Sequence, residues 1–219
     1  MTLLLTSNGI QNEFKDIFLS LLSKPPQDIS VSYIVTAAFG EEGDKSWLYK
    51  AKEQLQSFGI SNIEDLDIRG KNKEDLYSIL STKDIILVNG GNTFYLLRYI
   101  KESGFDTVIK ELVNKNKLYI GVSAGSYVAC PTIEQSHWKH QDRNDFGLID
   151  LTGLNLTSFL ITAHFTEENR GKVEEGVKTT KYPVVALYDS QAVLIKENSI
   201  KVIGEGKKEF YNKFKEVAK

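Results

Sequence analysis

Short apolar segments alternate along the chain with longer segments in which apolar residues recur every three or four positions. The apolar segments are residues 2–7, 31–38, 84–91 and 117–123. They are apolar almost throughout, which is typical of strands buried on both faces of a parallel sheet. A fifth segment, residues 62–68, alternates between apolar and polar positions. We expect that strand to lie nearer an edge of the sheet.

The segments between these strands have the spacing of amphipathic helices. The predicted helices are contained in NEFKDIFLSLLSK, DKSWLYKAKEQLQSFG, KEDLYSILST and NTFYLLRYIKESG. Asp44 is a candidate N-cap, and Gly59 and Gly104 occur where helices would end. Strands joined by helical crossovers predict a mostly parallel α/β sheet with helices on both faces.

The pattern changes after Thr132. Residues 132–158 are polar and weakly periodic, which predicts a long loop over the sheet, where functional groups often occur. A strand in FLITAHF and a helix in EENRGKVEEGVKTT follow. The remaining segments predict three strands, in YPVVALY, QAVLIKE and SIKVIGEG, and a closing helix in KKEFYNKFKEVAK. Because these three strands are close in sequence, we expect the C-terminal edge of the sheet to be antiparallel.

Length and composition indicate one globular domain, residues 1–219, with 41% hydrophobic and 26% charged residues. Lysine and arginine total 27 against 29 acidic residues, so no basic surface points to nucleic acid. No segment approaches the roughly 20 apolar residues of a membrane span, and the N-terminus lacks the features of a secretory signal. A single cysteine suits a reducing compartment. We therefore expect a cytoplasmic monomer or homodimer.

A serine lies between two glycines directly after the apolar segment 117–123, in the order Gly121, Ser123, Gly125. A buried strand that leads straight into a helix must turn sharply, and small neighbours permit the turn while the central side chain is exposed. This Gly-x-Ser-x-Gly pattern is that of a nucleophile elbow. The backbone N–H of Ala124 can then stabilise an oxyanion. The motif alone is equally consistent with a tight turn that carries an exposed serine.

A second strand, in DIILVNGG, also ends in glycines before a helix that begins near Asn92 or Thr93. Glycine lets main-chain N–H groups face a ligand at the carboxyl end of a parallel sheet. If this strand neighbours the one before Ser123, Gly91 supplies a second oxyanion donor, and Asn92 is a candidate for contact with substrate. The alternative is a plain helix start in which glycine only permits the turn.

Three histidines are candidates for a general base. His164 follows the apolar part of FLITAHF, so it too projects from the end of a strand. His137 and His140 have H-x-x-H spacing in the polar loop, but no carboxylate or cysteine stands at a supporting distance, so we expect no metal. An elbow serine favours His164 as its base.

A carboxylate must orient the imidazole and stabilise its positive charge. Asp189 directly follows the apolar segment of VVALYDSQAV. The alternatives are Glu167, Asp142, Asp145 and Asp150. The order serine, histidine, acid differs from that of α/β-hydrolases, in which the histidine comes last, and indicates a different scaffold.

Three segments, VNGGNTFYLL, GVSAGSYVACPTI and ITAHFTEENR, resemble the peptidase E family in order and separation. The resemblance extends from Leu3 to about Val193. It implies a cytosolic serine peptidase on a flavodoxin-like α/β fold related to class I glutamine amidotransferases, with no metal and no cofactor. By resemblance, the nucleophile, base and acid are Ser123, His164 and Asp189, and the oxyanion donors are Gly91 and Ala124.

The chain departs from the aspartyl dipeptidases of that family after the histidine, where its segment is short and acidic. Arg170 and Lys172 are the only nearby cations, so we expect a weaker or different preference for N-terminal aspartate. Arg170 is the first candidate to bind an aspartate side chain, and Asp145 a candidate for the substrate amine. Lys139, Arg143, Glu134 and Asp142 are the alternatives for these two roles.

These features predict a serine peptidase that hydrolyses short peptides, dipeptides among them, through an acyl-enzyme. An esterase that uses the same triad and a non-catalytic binding protein are the alternatives. Cys130 would lie about two turns into the helix after Ser123 and is not the predicted nucleophile. We expect Trp47 in the core and Trp138 beside the site.

Overall fold

The computed structural model describes residues 1–139 and 142–218. Its strands are β1 (Thr2–Thr6), β2 (Ser30–Ile34), β3 (Asn62–Leu66), β4 (Ile85–Val88), β5 (Leu118–Val122), β6 (Leu160–Thr162), β7 (Val184–Ala186), β8 (Gln191–Lys196), β9 (Ser199–Gly204) and β10 (Glu209–Tyr211). Its helices are α1 (Lys15–Leu19), α2 (Trp47–Ser57), α3 (Lys73–Leu80), α4 (Thr93–Ser103), α5 (Phe105–Asn114), α6 (Ala124–Ala129) and α7 (Arg170–Val177).

The central sheet has the strand order β3-β2-β4-β5-β1-β8-β9. The first five strands in this order are parallel, and β8 and β9 are antiparallel to their neighbours. The mostly parallel sheet, its antiparallel C-terminal edge and the edge position of β3 are thereby confirmed, but of the three strands expected at that edge only β8 and β9 belong to it, since β7 lies outside the central sheet. Because β5 lies between β4 and β1, the carboxyl ends of these three strands meet at one edge of the sheet.

Helices cover both faces of this sheet, as the alternation of buried side chains requires. Leu3, Val88 and Tyr119 face one core, which α3, α4, α5 and α6 help to form. Leu4 and Tyr33 face the other core, with α1 and α2. Gly104, with φ of 72°, ends α4 and precedes α5, a helix that the spacing did not predict. At the start of α2 the N-cap is Ser46, and Asp44 instead accepts hydrogen bonds from Ser46.

A second sheet, in the order β10-β7-β6, was not predicted. Strands β6 and β7 are parallel to each other and pack against the core on one side of the central sheet. The predicted closing helix is wrong. Residues 209–211 pair with β7, and the positive φ angles of Asn212 and Lys213, 48° and 63°, are incompatible with a helix. Pairing with a distant strand overrides the helical spacing of this segment.

The polar excursion at residues 132–158 is mostly irregular where it is described. It contains a 3-10 helix at Glu134–His137 and one isolated bridge between Thr132 and Thr152. Over the described ranges, 1–139 and 142–218, no helix combines the length and apolar character needed to cross a bilayer.

Helix α6 approaches β4 closely at Gly125. A Cβ atom at this position would lie 2.0 Å from the Val88 carbonyl oxygen, an atom that the sheet holds in place. We expect Gly125→Ala to lower the free energy of unfolding by about 2 kcal/mol or more, because the backbone must shift to relieve the overlap. Urea unfolding measures this change.

The matched control is Gly171→Ala in α7. A Cβ atom at Gly171 meets nothing within 4 Å, so alanine should leave stability unchanged or raise it by up to about 1 kcal/mol. Equal effects of the two substitutions would show that α6 and β4 are not in this close contact.

Candidate active site

Ser123 occupies a sharp turn between β5 and α6. Its φ of 49° and ψ of −106° lie in a region that non-glycine residues rarely adopt. Its N–H donates to the Thr6 carbonyl at 3.1 Å, and its carbonyl accepts from the N–H groups of Ser126 and Tyr127 at 2.9 and 3.0 Å. These bonds to two neighbouring elements hold the strained conformation. The turn raises the serine hydroxyl above the carboxyl end of β5.

Ser123, His164 and Asp189 form a hydrogen-bonded chain. Ser123 Oγ lies 3.0 Å from His164 Nε2, and His164 Nδ1 lies 2.7 Å from Asp189 Oδ1. The structure therefore brings together the three residues that the sequence singled out on separate segments. A hydroxyl, an imidazole and a carboxylate in this order can generate a nucleophile by proton transfer to the imidazole.

His164 is fixed through its backbone as well as its ring. Its φ is 53°, its N–H donates to Ser7 Oγ at 2.7 Å, and its carbonyl accepts from Asn169 Nδ2 at 2.8 Å. Ser7 Oγ in turn donates to Asp189 Oδ1 at 2.9 Å. One hydroxyl therefore positions both the histidine and its carboxylate.

Sequence reasoning missed Ser7. A signal was present, because Ser7 ends an apolar strand segment just as Ser123 does. Parallel strands that neighbour one another end at the same edge of a sheet, and β1 is the neighbour of β5. What the sequence did not reveal was this strand order.

The surroundings of Asp189 favour its ionised form. Partial burial alone would raise its pKa, but hydrogen bonds from His164 and Ser7, together with the charges of His164 and Lys139, lower that pKa below its ordinary value. The carboxylate is therefore charged at neutral pH. It accepts the Nδ1 proton of His164 and so leaves the Nε2 lone pair directed at Ser123.

The Gly90-Gly91 turn lies beside the serine. A Cβ atom at Gly90 would be 3.3 Å from Ser123 Cβ. Gly91 has φ of 125°, and a Cβ atom there would be 2.5 Å from the carbonyl atoms of Ala37, so only glycine fits. Ala124 is the first residue of α6, and its N–H therefore has no intrahelical acceptor. Ala124 follows Ser123 directly, and Gly91 lines the same cavity as Ser123.

A cavity of about 560 Å³ opens over Ser123 and His164. Its walls are contributed by the end of β1, by residues 41–54, and by the ends of β4 and β5. The two tryptophans are placed opposite to expectation. Trp47 lines the cavity, whereas Trp138 packs beside the core against Gly176, where a Cβ atom would lie 2.2 Å from its ring.

Three residues predicted to contact substrate make other contacts. Arg170 donates to Glu167 at 2.8 Å and to Glu209 at 2.9 Å. Asn92 caps α4, since its Oδ1 accepts from Tyr95 N at 2.9 Å. The exposed Asp145 lies 3.3 Å from Arg143 Nε. None of these three described side chains lines the cavity.

The alternative acids have hydrogen-bond partners other than His164. Glu167 accepts from Arg170 and from the Tyr188 hydroxyl. Asp142 Oδ2 accepts from Thr93 N at 3.0 Å, and Asp150 pairs with Lys101. Of the candidate carboxylates in the described ranges, the one bonded to the imidazole is Asp189.

The other histidines and the cysteine have different surroundings. The His137 ring lies 4.6 Å from the Phe94 ring, and His140 lies outside the described residues. Residues 1–139 and 142–218 contain no group of three or more histidine, cysteine, aspartate or glutamate side chains placed to hold a metal ion. Cys130 is buried, and burial raises the pKa of its thiol to about 12. It is therefore a neutral thiol at physiological pH.

The chain is similar to several known proteins, to some of them over most of its length. It is 31% identical over 194 residues to an uncharacterized peptidase of Pasteurella multocida, covering 86% of this chain and 90% of the relative. It is 37% identical over 108 residues to Peptidase E of Escherichia coli, covering 46% and 44% of the two chains. A crystal structure of a Listeria monocytogenes EGD-e protein, assigned by its title to Peptidase E, superposes on this chain with a TM-score of 0.77 at 28% identity. That match covers 94% of this chain and 98% of the other.

The sequence profile of Peptidase family S51 matches residues 3–203, a range that contains Ser7, Ser123, His164 and Asp189. This match extends over nearly the whole chain, and the similarity to the Pasteurella peptidase extends over most of both proteins. The chain therefore belongs to peptidase family S51 and is a serine-type peptidase.

Proposed function

We propose that this peptidase hydrolyses short peptides, dipeptides among them, through an acyl-enzyme on Ser123. The observation that carries the proposal is the hydrogen-bonded chain from Ser123 through His164 to Asp189, of which Ser123 and His164 line the cavity. A volume of about 560 Å³ is within the range of small-ligand sites and suits a peptide of a few residues.

In the first step His164 Nε2 accepts the proton of Ser123 Oγ as the oxygen attacks the peptide carbonyl. Asp189 stabilises the imidazolium that forms and holds the ring in the required tautomer. The N–H groups of Gly91 and Ala124 donate to the oxygen of the tetrahedral intermediate. Loss of one such donor typically costs about a hundredfold to a thousandfold in rate.

In the second step the imidazolium returns its proton to the leaving amine, and the peptide bond breaks. Water then enters, His164 takes a proton from it, and the resulting hydroxide attacks the acyl-enzyme. The ester bond to Ser123 Oγ then breaks as the imidazolium gives its proton to that oxygen, which releases the carboxylic acid and regenerates the Ser123 hydroxyl. No step in this scheme requires a metal or a cofactor.

We do not expect this peptidase to prefer peptides with an N-terminal aspartate. Such a preference needs a cation for the aspartate side chain, because an unpaired charge is costly to desolvate. Arg170, the first candidate for that cation, is instead paired with Glu167 and Glu209.

Lys139 holds the backbone of the residue that precedes His164. It is 7% exposed, and its Nζ donates to the carbonyl of Ala163, the residue before His164. The Ala163 N–H donates to the Tyr127 hydroxyl at 3.0 Å, so this short segment is anchored on both sides. Burial lowers the pKa of the Lys139 ammonium to about 8, against the opposing charges of Asp142 and Asp189.

We expect Ser123→Ala to lower peptidase turnover by at least about a thousandfold, because the nucleophile is removed. Peptide hydrolysis measures the loss, and a fluorophosphonate probe should label the wild type but not the variant. Ser20→Ala, an exposed serine near the end of α1, is the control and should keep both activity and labelling. Near-normal turnover by Ser123→Ala would refute the proposal.

We expect Asp189→Asn to lower kcat by about a hundredfold or more, because an amide does not stabilise the imidazolium charge. Ser7→Ala should cause a smaller loss of about tenfold, since it removes one hydrogen bond from the carboxylate and one from the His164 backbone. Single-turnover kinetics on a dipeptide measure both effects. Asp145→Asn, a change of a surface acid, should have no effect; a larger loss there than at Asp189 would reassign the acid.

The stability difference between the wild type and Lys139→Met should depend on pH. The folded protein holds the Lys139 proton with a pKa of about 8, whereas the ordinary value, 10.5, applies after unfolding. Between these values the unfolded state binds more protons, so the wild-type free energy of unfolding rises with pH relative to the variant. At about 1.4 kcal/mol per pKa unit, the rise by pH 10.5 should approach about 3 kcal/mol.

Urea unfolding of both proteins at several pH values from 7 to 10.5 measures this difference. Lys172→Met, at an exposed position on α7, controls for the loss of a lysine charge. A constant stability difference between the wild type and Lys139→Met across this range would show that Lys139 is not buried as described.

A further inference from the structure

The rings of two residues that adjoin the triad in sequence are in contact. Phe165 directly follows His164. Tyr188 directly precedes Asp189. The two ring centroids are 5.1 Å apart and the rings are nearly perpendicular, at 88°, an arrangement that aromatic pairs favour. The Phe165 N–H also donates to the Leu187 carbonyl at 2.9 Å. The segments that carry the base and the acid are therefore joined beside the hydrogen bond between the two.

Two charged side chains close this contact into a ring. The Tyr188 hydroxyl donates to Glu167 Oε1 at 2.6 Å. Glu167 also accepts from Arg170, from Nε to Oε2 and from Nη2 to Oε1, at 2.8 Å in each case. The Arg170 guanidinium carbon lies 4.9 Å from the centroid of the Phe165 ring, within the range of a cation–π contact. We call these four side chains the clasp.

The clasp is anchored on the second sheet. Arg170 donates to both carboxylate oxygens of Glu209, at 3.0 and 2.9 Å, and to the Tyr211 hydroxyl at 3.3 Å. Glu209 is 7% exposed and lies on β10, which pairs with β7, the strand before Tyr188. An isolated ion pair on the surface contributes little to stability, but a bidentate arginine in a network with a buried carboxylate holds its geometry. The anchor therefore belongs to the same sheet as the strand that leads to the acid.

The charges of the clasp persist at neutral pH. Hydrogen bonds from Arg170 and from the Tyr188 hydroxyl lower the pKa of Glu167 to about 2. A hydrogen bond from Arg170 likewise lowers the pKa of Glu209. The hydrogen bond to Glu167 raises the pKa of Tyr188 to about 12, so the hydroxyl keeps the proton that it donates. The network is therefore complete around neutral pH.

The clasp lies outside the cavity wall. The residues that line the cavity include His164 but none of the four members of the clasp, all of which lie in the described ranges. The side chain of Asp189 is 54% exposed, so packing alone restrains it little. An error of about 1 Å in the geometry of such a site can cost about a hundredfold in rate. A support outside the cavity can therefore affect the chemistry through the geometry of the acid–base pair.

We propose that Arg170, Glu167 and Tyr188 are positioning residues for the reaction. They hold the carboxylate of the triad against His164 Nδ1 and so sustain the proton transfer that activates the serine. This inference rests on the proposed peptidase function. Arg170 then acts on catalysis through Glu167 and Tyr188, from outside the cavity, and not by binding a side chain of the substrate.

Tyr188→Phe tests the proposal with the smallest change, since it removes the hydroxyl that reaches Glu167 and keeps the ring. We expect kcat on a dipeptide to fall about fivefold to tenfold and KM to change less than about twofold, because the geometry of proton transfer changes and the cavity does not. The rate of labelling by a fluorophosphonate should fall by the same factor, since labelling needs the activated serine but no peptide. The matched control is Tyr77→Phe on α3, which removes a hydroxyl that accepts from Lys115 and should change neither rate.

Nuclear magnetic resonance reports the geometry of the pair directly. The proton between His164 Nδ1 and Asp189 Oδ1 is strongly deshielded, and its far-downfield resonance should move upfield or broaden in Tyr188→Phe as the hydrogen bond lengthens. It should be unchanged in Tyr77→Phe. A clasp that serves stability alone would lower the melting temperature in Tyr188→Phe but leave this resonance and kcat as in the wild type, and that result would overturn the proposal.

A double-mutant cycle tests whether the clasp acts as a unit. Glu167→Ala should lower kcat by a similar factor, and adding it to Tyr188→Phe should cost little more, because both changes remove the same connection. Arg170→Met should lower kcat at least as much. Glu168→Ala, a change of an exposed acid in the same turn, should not lower it. Thermal melting establishes that each variant is folded; if Arg170→Met is not, the single changes at residues 167 and 188 decide.

Unchanged kcat and labelling in folded Tyr188→Phe and Glu167→Ala would overturn the proposal. A loss confined to KM would overturn it as well, since it would place the clasp in substrate binding. Failure of the peptidase function itself gives a different result. The wild type would then neither hydrolyse dipeptides nor react with a fluorophosphonate, while a shift of the downfield resonance in Tyr188→Phe would retain the clasp as the support of the pair and its absence would reject it.

Discussion

The turn at Ser123 is the constraint on which the surrounding structure depends. A serine with positive φ is stable only where neighbouring groups fix it, and here Thr6 on β1 and the first residues of α6 do so. The same geometry requires α6 to press against β4 at Gly125. In the order β4-β5-β1, the end of β4 forms part of the cavity wall, β5 leads into the turn that carries Ser123, and Thr6 of β1 accepts the hydrogen bond from the Ser123 N–H.

The triad joins two sheets. Ser123 belongs to the central sheet, while His164 and Asp189 follow β6 and β7, whose ends are paired at Thr162 and Ala186 in the second sheet. Parallel pairing brings the imidazole and its carboxylate together, and Ser7 links both to the end of β1. The distance between nucleophile and base therefore depends on how the second sheet packs against the central one.

Sequence patterns predicted the parts of this arrangement that are local. The buried parallel strands, the elbow at Ser123 and the strand-end positions of His164 and Asp189 depend on residues close together in the chain. The strands β6 and β7 were predicted, but their pairing in a second sheet was not, because strand pairing depends on contacts between distant segments and β10 had the spacing of a helix. The role of Ser7 and the pairing of Arg170 with Glu209 depend on contacts between distant segments, which spacing along the chain does not encode.

The cavity walls and the catalytic supports come from different stretches of the polypeptide. Residues 41–54 shape much of the cavity, whereas Asn169, Lys139 and the second sheet hold the histidine. A substitution in the first stretch changes what fits above the serine and leaves proton transfer beneath it intact. Substrate range and reaction chemistry are thus separable traits in this scaffold, which allows one to diverge among descendants while the other is inherited unchanged.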